Sequence, residues 1–239
     1  MPHLGRALQT FIRAKDTYSA NTPVQKDMAK ELCKMLSEND LSDFKAVFEF
    51  GCGVGVFSKA LQECIKFKHY FLNDIYPFEN PCKFDEFGVF DMNELKNHHF
   101  YTKKFDLIAS NACMQWLKID ELLENFASML NKNGILLFST FGEKNFTQIK
   151  QSTNLSLEYL TLEQIRQKLS KNFKIIKAKE ELKELKFDDT LELFRHLKLS
   201  GVNALSDKFF ISKAFLKNYE KEFQNTLTYH PLFFLVRKL

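Results

Sequence analysis

The chain has 239 residues, 45% hydrophobic and 27% charged, with a net charge of +4, which suits one large α/β domain with enough apolar surface for a substantial core. No apolar run approaches the roughly 20 residues of a bilayer span, and 'MPHLGRALQTFIRAKD' lacks the continuous apolar centre of a signal peptide, so a cytoplasmic protein is expected. Five scattered cysteines with no C-x-x-C pair, and six histidines without ligand spacing, argue against disulfides and against a metal site.

The elements follow in chain order. In 'NTPVQKDMAKELCKMLSEN' Thr22 stands as a helix cap and Pro23 in the first turn, with Val24, Met28, Leu32, Met35 and Leu36 at helical spacing. Then come a short buried strand 'KAVFEF', a helix 'VGVFSKALQEC', and three strands 'KHYFLND', 'FGVFD' and 'KFDLIAS'. A helix 'IDELLENFASMLNKNG', closing on Gly134, leads to the strand 'ILLFSTF'. This serial alternation predicts a mostly parallel sheet with helices on both faces. Beyond Gly142, 'TLEQIRQKLS' reads as helix, 'NFKIIKAKEEL' as strand, 'DDTLELFRHLKLSG' as a helix stopped by Gly201, and 'ISKAFLKNYEKEFQ' as helix. 'TLTYHPLFFLVRK' reads as a closing strand in which Pro231 marks an edge or a bulge. The expected division is one domain: a helical segment over 1–40, a ligand-binding core over 41–142, lid helices and a sixth strand over 143–225, and the closing strand over 226–239. Residues 1–140 carry 16 basic against 18 acidic groups and residues 141–239 carry 18 against 12, so the later part is basic. Solvated helix surfaces explain that as well as an acidic partner does. The 26 phenylalanines read as core filling.

The stretch 'FEFGCGVG' raises the question of function. A dinucleotide site asks for G-x-G-x-x-G or A, but Gly51, Gly53 and Gly55 are spaced by two and Val56 stands where a small residue belongs. What is present is E-x-G-x-G-x-G with Glu49 at the strand tip, which resembles the leading motif of class I S-adenosylmethionine-dependent methyltransferases. Asp74 ends the second strand, 19 residues beyond Gly55, where an acid can take both hydroxyls of a ribose. Asp91 ends the third, with Met92 beside it. Each aspartate alone is an ordinary turn residue; three consecutive strands ending in 'FEFG', 'LND' and 'VFDM' are a pattern. After the fourth strand comes 'SNACMQWL', without the N/D-P-P-aromatic motif of enzymes that methylate base amines, so nucleic acid is not an expected substrate. Asn111, Gln115 and Trp116 are left to line a cofactor or acceptor pocket, although the lone tryptophan suits a core position equally.

Several segments together resemble the malonyl-acyl-carrier-protein O-methyltransferase family of biotin synthesis. 'FDLIASNACMQWL' is similar to its F-D-L-x-x-S-N-x-x-x-Q-W run, 'FSTFGEKNFTQIKQ' to its fifth strand and following helix, 'LFRHLKLSGVNAL' to its lid helix, 'LTYHPLFFLV' to its closing strand and 'FIRAKDTYSANTPVQ' to its N-terminal segment. Pro231 in the last strand and Leu199-Ser200 in the lid depart from the family pattern. The resemblance implies a Rossmann-like fold with a seven-stranded sheet and a helical lid. It implies S-adenosyl-L-methionine as cofactor, held by Glu49, Gly51, Cys52, Gly53, Gly55, Asp74, Ile75, Asp91, Met92, Asn111, Gln115 and Trp116. The implied acceptor is the malonyl carboxylate carried by the phosphopantetheine arm of an acidic acyl carrier protein, with no membrane partner and a monomeric enzyme. A carboxylate is already ionised at neutral pH, so no general base is required. Donors to hold it are expected in Tyr18, which would also close over the sulfonium, and in Arg195 and Lys198, three apart on one face of the lid helix, where the resemblance implies contact with the carboxylate or with the phosphopantetheine. The alternatives are an O-methyltransferase of another small carboxylate or hydroxyl compound, a noncatalytic protein that binds the same cofactor and, least favoured, an oxidoreductase.

Overall fold

The computed structural model describes residues 2–200 and 211–239; Gly201, expected as a helix stop, lies outside them. Two helices begin the chain, α1 (Pro2–Asn21) and α2 (Pro23–Ser37). Val24, Met28, Leu32, Met35 and Leu36 are buried along one side of α2, as their spacing predicts. Thr22 precedes α2 but does not cap it: its Oγ1 donates to the Tyr18 carbonyl at 2.7 Å, fastening the end of α1 instead.

The alternation that follows folds as β1 (Asp43–Phe50), α3 (Val56–Cys64), β2 (Lys66–Asp74), β3 (Glu86–Val89), β4 (Phe105–Ser110), α4 (Ile119–Met129) and β5 (Leu130–Phe141). Short 3-10 turns over 92–97, 99–102 and 114–116 link the middle strands. The rest comprises α5 (Thr147–Thr153), α6 (Leu162–Leu169), β6 (Phe173–Glu180), β7 (Lys183–Lys186), α7 (Thr190–Leu199), α8 (Lys213–Phe223), β8 (Thr226–Tyr229) and β9 (Pro231–Lys238). Seven strands form one sheet in the order β3-β2-β1-β4-β5-β9-β6, in which only β9 runs against its neighbours. The expected mostly parallel α/β sheet is therefore present. Strand order reverses between β1 and β4, and the crevice at their C-terminal ends is where such sheets bind ligands.

Three local readings change. The helix expected to close on Gly134 ends at Met129, because Leu130 is extended and pairs with Phe105 of β4, with a register shift before the next pairs. The closing segment is two strands: β8 pairs with β7 in a separate ribbon, and 'KELK' of β7 carried no strand signal. Pro231 lies neither at an edge nor in a bulge. It is the first residue of β9, an interior strand between β5 and β6, where its missing N–H removes little from the ladder.

Side chains of β1 alternate between two buried layers. Val47 joins the layer of α2 and α3, while Phe48 and Phe50 enter the layer under α4 and α6. Phenylalanines dominate the second layer: Phe48 stacks on Phe105 with centroids 5.2 Å apart, and Phe138 on Phe234 at 4.9 Å. Phe234 is fully buried. Phe234→Ala is expected to cost roughly 3–5 kcal/mol of stability, measured by urea unfolding; a loss below about 1 kcal/mol would show that this layer is loosely packed.

Candidate functional site

After β1 the backbone turns through Gly51, Gly53 and Gly55 at φ of 64°, 50° and 84°, left-handed conformations that glycine adopts without strain. A Cβ on Gly51 would stand 2.5 Å from the Cys113 sulfur, whereas one on Gly53 would meet nothing within 4 Å. Gly51 therefore sits against the β4 loop and Gly53 faces open space. Asp74, at the end of β2, folds its carboxylate onto this turn: Oδ2 accepts from the Gly53 N–H at 2.8 Å and Oδ1 from that of Tyr76 at 3.3 Å. Burial pushes the Asp74 carboxyl above its ordinary range, against those backbone donors, which favour the anion. Asp91, past β3, accepts from the backbone and side-chain nitrogens of Asn93, both at 2.9 Å.

Gly51, Gly53, Asp74, Ile75, Asp91, Met92, Asn111 and Trp116 all line one cleft over the strand-order reversal, with about 910 Å³ of atom-free space counting its open mouth. Asn111 is fixed by bonds to the Gln25 carbonyl at 2.9 Å and from Ser139 Oγ at 2.6 Å. Of its two expected settings, Trp116 takes the pocket wall, where Phe11 meets it edge-on at 5.9 Å. Tyr18 also lines the cleft, half-buried. Burial, with the charge of Asp74 nearby, raises its phenol above the ordinary value and keeps it protonated.

Other expected residues lie elsewhere. Cys52 is buried beneath the turn, its N–H on the Asn73 carbonyl at 3.1 Å, and Gly55 begins α3 where a Cβ would meet Asn80 Oδ1 at 2.7 Å. Gln115 braces the β4 loop from behind, donating to the Ala112 carbonyl at 2.6 Å and accepting from Thr140 at 3.1 Å. Glu49 is not in the cleft wall either. Strand alternation turns it away from Phe48 and Phe50, and it is fully buried, accepting from Tyr70 Oη at 2.5 Å and Ser58 Oγ at 2.9 Å. Ser58 in turn accepts from Asn80 at 3.0 Å, which ties the 75–85 loop to the glycine turn.

Arg195 and Lys198 are exposed on α7 and do not line the cleft. The apolar side of α7, Leu193, Phe194 and Leu197, is spent on the core, so its polar side faces solvent. The cleft is closed by α1, through Leu8, Phe11, Lys15 and Tyr18, while α7 supports α1 from behind through Thr17 Oγ1 on the Leu199 carbonyl at 3.1 Å. Of this cover the sequence reading expected Tyr18 and missed Leu8, Phe11 and Lys15, although positions 8, 11, 15 and 18 form one helical stripe. It also missed Phe78 and Phe90 in the cleft wall.

Acids at adjacent strand tips, a bare glycine turn and aromatic walls at a strand-order reversal are the layout of a nucleoside-binding α/β protein. Comparison with known proteins agrees. The profile of the family described as "Methyltransferase domain" matches residues 24–182. Malonyl-acyl-carrier-protein O-methyltransferases are similar along nearly the whole chain: that of Calditerrivibrio nitroreducens is 34% identical over 95% of this chain and 94% of its own. The protein of the same name in Haemophilus influenzae is 32% identical over 97% and 94%. Among solved structures, a methyltransferase of Bacillus halodurans superposes with a TM-score of 0.61 at 11% identity, over 86% of this chain and 97% of its own. The N-methyltransferase NodS of Bradyrhizobium japonicum, in complex with S-adenosyl-L-homocysteine, does so at 0.50 and 13% identity over 93% and 98%. The chain belongs to the methyltransferase-domain family and, within it, to the family of malonyl-acyl-carrier-protein O-methyltransferases.

The residues present fit S-adenosylmethionine. Asn73, in the cleft wall, has a buried Oδ1 with no hydrogen-bond donor, the backbone at Gly53 leaves open space, and the Asp74 carboxylate lines the cleft beside it.

The buried Glu49 makes a pH prediction. Burial pushes its carboxyl up to about 7 against the Tyr70 and Ser58 donors, and the charge of Asp74 adds to the rise. Because the folded value lies above the unfolded one, the folded state holds a proton that the unfolded chain releases. Stability from this group is full below about pH 4.5 and is lost as pH rises to about 7. The loss is ~3 kcal/mol. Glu49→Gln should remove this component, so that the variant gains on the wild type between pH 5 and 7.5 in urea unfolding; parallel pH profiles would contradict the assignment.

Proposed function

We propose that the chain transfers the methyl group of S-adenosylmethionine to the free carboxylate of malonyl-acyl-carrier protein, giving the malonyl methyl ester that primes pimeloyl synthesis for biotin. The observation that carries this reading is one cleft holding donor-side acids on its floor under an aromatic cover from α1, with no histidine among its described lining residues. An acceptor already ionised at neutral pH needs no proton removed. The near-full-length similarity to malonyl-acyl-carrier-protein O-methyltransferases supports the same acceptor.

When bound, S-adenosylmethionine supplies an electrophilic methyl on a positively charged sulfur. Asp74 would hold the ribose hydroxyls, its orientation set by the Gly53 N–H. Asp91 and Met92, with Phe90 beside them, would hold the base, and Gly51 and Gly53 admit the amino-acid part. Glu49 acts from beneath by fixing the turn. Tyr18 and Phe11 exclude water from the reacting end, and orientation in such a site can contribute on the order of 7 kcal/mol. Arg195 and Lys198, exposed behind α1, suit the docking of an acidic carrier protein better than a contact with the reacting carboxylate. Among the described residues no helix is long and apolar enough to cross a membrane; a cytoplasmic, monomeric enzyme is part of the proposal.

Incubation with labelled donor and malonyl carrier protein, read by mass spectrometry, should show one methyl ester on the carrier-bound acyl group. Asp74→Asn should weaken S-adenosylhomocysteine binding at least about tenfold, the order expected for a lost charge-assisted hydrogen bond. A wild-type protein that binds the nucleoside and leaves the malonyl group unmethylated would refute the acceptor.

A further inference from the structure

The cleft-facing stripe of α1 consists of Leu8, Phe11, Lys15 and Tyr18. Three of the four are apolar or aromatic, as a helix laid over an apolar wall requires. The lysine breaks that pattern, and polar residues that interrupt an otherwise consistent face tend to mark function. Lys15 is the cation among the described lining residues, whereas Asp74 and Asp91 are its anions. It is exposed, so it stands at the mouth and not on the floor. Lys168, Lys177 and Lys179 are each paired with a carboxylate; Lys15 forms no ion pair with any described residue. A flexible stem can lie along the Phe11 side of the cleft with its ammonium at the opening.

The sulfonium of the bound donor offsets the two acids at the reacting end, and at the mouth, where an anionic acceptor arrives, a cation of the protein would attract it. We infer that Lys15 is the specificity-determining residue for the acceptor, its ammonium pairing with the malonyl carboxylate at the mouth of the cleft one helical turn from Tyr18. This rests on the acceptor proposed above, and it moves the carboxylate contact from α7 to α1.

The test uses the full chain loaded with S-adenosylhomocysteine, so that no turnover occurs. Binding of malonyl carrier protein is compared with that of the same carrier bearing only its phosphopantetheine arm. In the wild type the malonyl group should tighten binding, and Lys15→Met should abolish that increment, while Lys15→Arg retains it. In turnover Lys15→Met should raise the acceptor KM about tenfold, leaving kcat and the S-adenosylhomocysteine Kd within about twofold. An unchanged KM would overturn the inference. So would a parallel loss of S-adenosylhomocysteine affinity, which assigns Lys15 to the donor. A wild type that methylates malonyl carrier protein without any malonyl-dependent increment refutes Lys15 alone; a wild type that methylates nothing refutes the acceptor reading.

Discussion

The site depends on one hydrogen bond, from the Gly53 N–H to Asp74 Oδ2 at 2.8 Å. It joins the turn after β1 to the tip of β2, so the backbone that must stay bare and the carboxylate that must face the cleft are positioned by each other. A bond from a backbone donor to a charged acceptor contributes about 1.5–3 kcal/mol, which offsets in part the burial that raises this carboxyl. A side chain at Gly51 collides with Cys113, and one at Gly55 with Asn80. Underneath, Tyr70, Glu49, Ser58 and Asn80 form a connected chain of hydrogen bonds. The motif acid thus links β2 to α3 from beneath the turn, one layer below the cleft.

Much of this was legible in the sequence, and the reasons differ from place to place. The sheet core could be read because strands buried on both faces are short apolar runs whose serial alternation with helices leaves few topologies. The placement of Asp74 and Asp91 at the cleft could be read because strand ends are sequence landmarks. Glu49 was misplaced by the same logic: its position at a strand tip is right, but the period of two turns it under the sheet with Val47, and the partners that hold it there, Tyr70 and Ser58, are 21 and 9 residues away.

The lid was the larger miss. Charge and helical spacing placed Arg195 and Lys198 together correctly on one face of α7, yet which face meets the cleft is decided by packing. Leu193, Phe194 and Leu197 bury the other side against α8 and the core. The cover comes from α1, whose stripe of Leu8, Phe11, Lys15 and Tyr18 is visible in the sequence once the helix is drawn, but of the four only Tyr18 carried a motif that says what it covers. Gln115 shows the same limit: it lies on the expected loop, with its side chain turned to Thr140 and not to the cleft.

The most direct measurement of the central claim is a crystal structure of the chain with S-adenosylhomocysteine. The account predicts the ribose hydroxyls on the Asp74 carboxylate with the Gly53 bond intact, and the base between Phe90 and Met92. A nucleoside bound outside this cleft, or an Asp74 side chain swung away from Gly53 to reach it, would contradict the account.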